Sequence, residues 1–329
     1  CTRSGGSIMN ENLTLLAIVL GILHSGIRLA TPYLYAALGE TFSQKSGVLN
    51  LGVEGMMLMG AFTGFYAVFV TNNLWLGLLA AGFVGAVFGL IMSVVSVTFQ
   101  AEQGISGIGL YMFGLGLSSL LFKTTLGTVE GVDGFSEMQF CLSSLGVKSD
   151  FCLAEVPVLG EIFFSHSILT YGAFALVPIS AWIFNKTNWG LKVRSVGQNP
   201  EAADTLGVSV NRTRYAAVIL GGILAGIAGA SLSISLLNIF QENMTNGMGF
   251  IAVALVYFGS WTPVGVLVGA LLFSTVNALQ LWVQVLDLNL PSDVAVMLPY
   301  LLTIVALALP FKRAEQPAAL TKPYERGEN

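Results

Sequence analysis

The sequence predicts an all-α fold, a polytopic membrane helix bundle of about nine passages that includes short or broken helices. Three observations predict it. Of 329 residues, 54% are hydrophobic and 10% charged, where a soluble domain carries roughly 25% charged residues. Mean hydropathy is +0.77, and apolar runs of membrane-crossing length, about 20 residues, recur along the chain. The 38 glycines, roughly 12% of the residues against a usual 7% or so, suit helices whose backbones meet closely in lipid.

Each run follows in order. Residues 1–8 read as a non-native or upstream remnant ahead of Met9, and fold reasoning begins at residue 9. The first apolar run has no basic flank and is too long for a cleavable signal. A single transmembrane domain is expected over 9–310 and a tail over 311–329. Spanning runs are read at 13–38, 51–70, 74–98, 104–122, 166–184, 215–237, 264–286 and 293–309. A shorter run, 248–260, would reach only part-way across as a helix. It ends at the turn signal Trp261-Thr262-Pro263. Glycine spacing at Gly82/Gly85/Gly89, Gly222/Gly226/Gly229 and Gly265/Gly269 marks close crossings.

Basic residues set the expected orientation. Lys186, Lys192, Arg194, Arg212 and Arg214 crowd the segment 186–214, and Lys312, Arg313, Lys322 and Arg326 crowd the tail; both should be cytoplasmic. The loop 123–165 carries two lysines against Glu130, Asp133, Glu137, Asp150, Glu155 and Glu161, and should face outward. Cys141 and Cys152 lie in that outer loop, where a disulfide could persist. Two free thiols are the alternative.

Within 186–214 stands a capped short helix, expected over 200–206. Asn199 can accept from first-turn amides, and Pro200 sits where a missing N–H costs nothing. Glu201 faces the positive end of the helix dipole, and Gly207 can turn left-handed to stop the helix.

Polarity enters the membrane at three places. Residues 46–55 combine Gly47, Gly52 and Gly55 with Asn50 and Glu54, which reads as non-helical backbone leading into a half-helix. Residues 100–107 hold Gln103 and Ser106, and residues 238–247 hold Gln241. Asn50, Glu54, Gln103, Ser106 and Gln241 are therefore candidates to line a substrate path. An interfacial carboxylate or helix-start anchor is the alternative for Glu54, and ordinary loop for the other two stretches.

Several classes are excluded or disfavoured. Net charge −4 with pI near 5.2 gives no sign of nucleic-acid binding. There is no Walker A sequence, CxxC pair or HExxH, so no metal site is expected. His24 and His166 are far apart in sequence and read as structural or solvated. No paired carboxylates or nucleophile–base constellation suggests an enzyme. A secondary transporter would want several buried acids or histidines, and the spans hold few charges, Arg28 being the clearest.

Residues 37–57, AlaLeuGlyGluThrPheSerGlnLysSerGlyValLeuAsnLeuGlyValGluGlyMetMet, resemble the early signature of permease subunits of nucleoside and simple-sugar ABC importers. Residues 190–208, which contain the capped helix, resemble the cytoplasmic loop of the same family. The similarity runs over about 29–309 and is weakest in the outer loop. The resemblance implies a permease that pairs with a second, related but non-identical permease and with two ABC ATPase subunits. An extracytoplasmic solute-binding protein would deliver the solute. It implies no cofactor on this chain, with ATP and Mg used by the ATPase, and a bacterial-type plasma (inner) membrane location. Asn199, Pro200, Glu201, Ala202, Ala203, Asp204 and Gly207 would form the coupling helix. Its contact face would be Glu201, Ala202, Ala203 and Asp204, with Arg194 and Arg212 flanking. A nucleoside is the expected cargo. A ribose-like sugar, and less so a branched-chain amino acid, are the alternatives.

Overall fold

The computed structural model describes residues 5–139, 159–285, 297, 301, 304 and 316–325. It is all-α but for one small pair of strands among the described residues. Helices α1 (Gly5–Lys45), α2 (Val53–Thr71), α3 (Leu74–Ser93) and α4 (Gln103–Thr125) come first. The short α5 (Leu159–Phe163), then α6 (Ile168–Lys186), α7 (Asn188–Gln198), α8 (Pro200–Thr205), α9 (Val210–Ser231), α10 (Met248–Phe258) and α11 (Pro263–Val285) follow. Strands β1 (Glu137–Gln139) and β2 (Ser165–Ser167) pair antiparallel, with Met138 opposite His166. Among the described residues seven helices are long and apolar enough to cross a membrane, and α10 is a shorter apolar helix. The protein is thus a multi-pass membrane protein. The expected passage 293–309 lies outside the described residues except for 297, 301 and 304. Cys141, Cys152, Lys312, Arg313 and Arg326 also lie outside them.

Two compact units divide the chain. The smaller comprises Cys1–Ala30, Ser136–Tyr171 and Leu271–Ala308. In it the two histidines meet edge to face at 4.5 Å, and the His166 Nε2 contacts the Ile162 carbonyl at 2.8 Å. Trp282 covers Gly21, where a Cβ would strike its ring. The Arg28–Glu137 ion pair, 3.9 Å and about half exposed, adds little.

The larger unit comprises Thr31–Phe135, Gly172–Ala270 and Leu309–Asn329. Its centre is α9, which packs against both α2 and α3. The approach is backbone to backbone. A Cβ on Gly222 would collide with the Gly85 carbonyl, and one on Gly229 with that of Met57. The glycine spacing read from sequence serves these crossings. Both α3 and α9 end in a π-helical turn, Val94–Thr98 and Leu232–Leu236.

Helix α1 runs to Lys45, past the expected end at Leu38. Glu40, Thr41, Ser43 and Gln44 look like the start of a loop, yet all four are buried. Within the helix Thr41 Oγ1 donates to the Ala37 carbonyl at 2.7 Å and Gln44 Nε2 to Glu40 Oε1 at 2.9 Å, while Ser43 Oγ and Glu40 Oε2 are buried without a hydrogen-bond partner among the described residues.

Between α1 and α2 the backbone is irregular, as expected, and its amides find side-chain acceptors. Leu49 N–H donates to Gln103 Oε1 (2.8 Å), Asn50 N–H to Glu40 Oε1 (3.0 Å) and Gly52 N–H to Asn50 Oδ1 (3.0 Å). Buried backbone donors require such partners.

A second break precedes α10. Ile239 bridges Gly131, Thr245 to Gly249 reach Glu54, and Trp261 beyond the helix donates to Gln44 Oε1 at 2.7 Å. Eleven residues of helix rise about 16 Å, roughly half of a bilayer core. The short run is therefore a half-helix, entered through a run of turns at 242–247.

Candidate functional site

The segment 186–214 folds as a helix pair. Thr187 Oγ1 caps α7 by accepting from Gly190 N–H at 3.1 Å. Gly190, Val193, Val196 and Gly197 form its buried stripe. Val193 joins Phe42 and Phe184, whose rings stack at 4.4 Å. Gly197 lies so close to the Lys45 carbonyl that no Cβ would fit. This second helix was not expected, although its apolar spacing is readable.

Asn199 turns the chain out of α7 and caps α8, its Oδ1 accepting from Ala202 N–H at 3.0 Å. Gly207, at φ +82°, closes the other end. Val208 N–H donates to the Ala203 carbonyl and Gly207 N–H to that of Asp204. The helix is Pro200–Thr205, one residue shorter than expected.

Ala203, assigned to the contact face, is 3% exposed and packs with Val196, Val208, Val210 and Tyr324. Glu201, Ala202 and Thr205 are exposed, and Asp204 and Pro200 are half-buried. The dominant exposed group is Leu206, at 85%, which sequence reasoning treated as the helix's last residue and nothing more. Arg212 is exposed, and Arg194 is half-buried.

Residues 316–325 lie across this pair. Ala319 N–H donates to the Gly197 carbonyl (2.9 Å) and Thr321 N–H to the Gly47 carbonyl (3.1 Å). Arg214, 1% exposed, donates through Nε to the Ser46 carbonyl at 3.2 Å and through a terminal nitrogen to that of Lys322 at 3.1 Å. A cation beside the carbonyl end of α1 is well placed. Between the tail and the α7–α8 junction is a cleft of about 370 Å³, lined by Gln198, Asn199, Pro200, Glu201, Lys322 and Glu325 among others. The tail and the segment 186–214 thus share one end of the larger unit.

The path candidates separate. Asn50, Glu54 and Gln103 are all buried, and each holds backbone amides. Glu54 accepts from Thr245 Oγ1 (2.5 Å) and Gly247 N–H (2.8 Å) through one oxygen, and from Gly249 N–H (2.5 Å) through the other. The free amides of the half-helix α10 are thus aimed at a protein carboxylate. A carboxylate at a helix N-terminus satisfies amides that the helix cannot. Ser106 is half-buried, donates to the Glu102 carbonyl at 2.6 Å, and lines an apolar groove of about 350 Å³ with Ile91, Met92, Val95 and Phe113. Gln241 is exposed.

Comparison with known proteins gives these features a family. Residues 22–307 match the family described as branched-chain amino acid transport system / permease component. The guanosine ABC transporter permease of Bacillus subtilis is 38% identical over 307 residues, covering 91% of this chain and 94% of its own. The nucleoside ABC transporter permease of Lactococcus lactis subsp. cremoris is 33% identical over 299 residues, covering 88% and 92%. A chain of Haloferax volcanii, provisionally named a glucose ABC transporter permease, is 37% identical over 334 residues, covering 94% and 99%. No solved structure matches. The chain, a membrane-spanning transport component and not an enzyme, belongs to the branched-chain amino acid transport system / permease component family.

Proposed function

We propose that this chain is the permease of an ATP-driven importer of a neutral polar solute, a nucleoside first of all, and that α8 couples it to an ABC ATPase. The observation that carries the coupling role is Leu206, 85% exposed at the end of a doubly capped helix that the spans do not need. A single exposed apolar residue is ordinary on a protein surface; what sets Leu206 apart is its place at the end of a capped helix outside the apolar spans. Glu201, Ala202 and Thr205 share its exposure. ATP closes the paired ATPases, α8 moves with them, and packed helices pass between discrete arrangements that open the path on alternate sides. The full-length similarity to a guanosine and a nucleoside permease supports the cargo. A sugar is the second reading, favoured by the Haloferax relative. The remaining parts are a related second permease, an extracytoplasmic binding protein, a bacterial-type inner membrane, and a cytoplasmic face for the tail and for 186–214.

The test is radiolabelled guanosine uptake into proteoliposomes holding this chain, its partner permease and the ATPase, with the binding protein and ATP supplied or withheld. ATP-dependent uptake, competed by other nucleosides and not by glucose or ribose, is expected. ATP-dependent uptake of a sugar alone overturns the cargo. ATP-independent uptake by this chain alone overturns the importer. Leu206→Arg is expected to abolish uptake while the chain stays inserted, and wild-type uptake overturns α8 as the coupling element.

A further inference from the structure

We propose that residues 316–325 act as a strap that positions the coupling helix, tying α8 to the break between α1 and α2. This rests on the reading of α8 given above. Through the loop Leu206–Ser209, α8 has a direct but irregular link to α9. The strap offers a second, ordered one. At one end it touches the helix pair, since Ala319 N–H completes the last turn of α7 at Gly197 and Tyr324 packs into the cluster that buries Ala203. At the other it touches the break, since Thr321 N–H completes the Gly47 carbonyl. Arg214 clamps the two, reaching Ser46 on the break and Lys322 on the strap from within α9. Gln100, at the end of the α3 π-turn, adds a bond from Nε2 to the Tyr324 carbonyl at 3.3 Å.

The arrangement does more than tidy a terminus. Apart from the Gln100 bond, the strap's contacts end on elements whose position matters to transport: α7–α8, the irregular entry to α2, or α9. Ala319 and Leu320 are 5% and 3% exposed, so the strap is held by burial as well as by hydrogen bonds. Motion of α8 therefore reaches Gly47 through a packed route, and packed interfaces pass displacement on where a loop would absorb it. The strap is a positioning element and touches no solute.

The experiment measures guanosine taken up per ATP hydrolysed in the complete reconstituted transporter. Leu320→Asp puts a carboxylate where the strap is buried, and Leu320→Met keeps its volume. Leu320→Asp and removal of residues 316–329 are expected to lower uptake per ATP at least fivefold while hydrolysis continues, and Leu320→Met to restore it. A wild-type ratio in either disrupted complex overturns the strap. Should those variants fail to assemble, amide exchange in the wild-type complex decides. Ala319 and Thr321 N–H are expected to stay protected both without nucleotide and with a trapped ATP analogue. Solvent-like exchange of either amide in either state overturns the proposal. Loss of uptake with Leu206→Arg but not with the strap variants removes the strap alone, whereas full uptake with Leu206→Arg removes the coupling helix itself.

Discussion

Replacing Glu54 by glutamine tests whether the carboxylate holds the half-helix α10 in place. The substitution keeps the shape and loses one acceptor oxygen. In the native arrangement one oxygen serves Thr245 and Gly247, and the other serves Gly249. An amide can fill only one of these roles. With its oxygen toward Thr245 and Gly247, its NH2 points at the Gly249 N–H, donor against donor. The loss is one hydrogen bond to a charged group, about 1.5–3 kcal/mol, plus a buried amide without a partner, about 1–3 kcal/mol. A cost of roughly 3–5 kcal/mol follows from those two contributions. Since each 1.36 kcal/mol or so is tenfold, opening of the α10 N-terminus is expected to become at least about a hundredfold more frequent. Amide exchange of residues 247–251 in detergent reads this directly, because local opening governs protection. Exchange of α7 amides, distant in sequence from both Glu54 and α10, should change much less. Native protection at Gly249 in the glutamine variant would falsify the clasp.

Three further outcomes follow from the same packing. Gly229→Ala drives a methyl into the Met57 carbonyl, a backbone contact that cannot yield, and is expected to cost at least the 1–3 kcal/mol or so typical of overpacking; Gly116→Ala, with nothing within 4 Å, should leave the thermal midpoint in detergent unchanged or raise it. Trp261→Phe removes the donor to Gln44 Oε1 and leaves a buried acceptor, so unfolding should ease by about 1–3 kcal/mol; a wild-type denaturation midpoint contradicts the bond. Gln103→Leu strips the acceptor from Leu49 N–H at a similar cost of about 1–3 kcal/mol, read as faster exchange of that one amide.

Local chemistry was legible in the sequence. The caps of α8 at Asn199 and Gly207 follow from side-chain and backbone preferences within a few residues, and the glycine spacing marked α9's crossings before their partners were known. The stripe Gly190, Val193, Val196, Gly197 could have shown α7 as well. What failed was long range. Glu54 and its partners are some 190 positions apart in the chain, and no local pattern links a carboxylate to a half-helix that distant. Polar residues from Glu40 to Gln44 signal a loop when read alone, yet they continue α1, with Asn50 bonding Glu40 and Trp261 bonding Gln44 from outside the helix.

The same reasoning separates the two kinds of polar residue this membrane protein buries. Asn50, Gln103 and Glu54 each serve main-chain amides that a break in a helix has released. Non-helical backbone at membrane depth must recruit such groups wherever it occurs, so a polar residue beside a break is first a consequence of the break. A solute-facing role requires bonding capacity left over after the backbone is satisfied. Both oxygens of Glu54 are engaged and the Gln103 oxygen is taken, whereas Ser106 borders an open groove whose other walls are apolar. The breaks shape where a path can run, and the oxygens of Asn50, Gln103 and Glu54 serve the released backbone first.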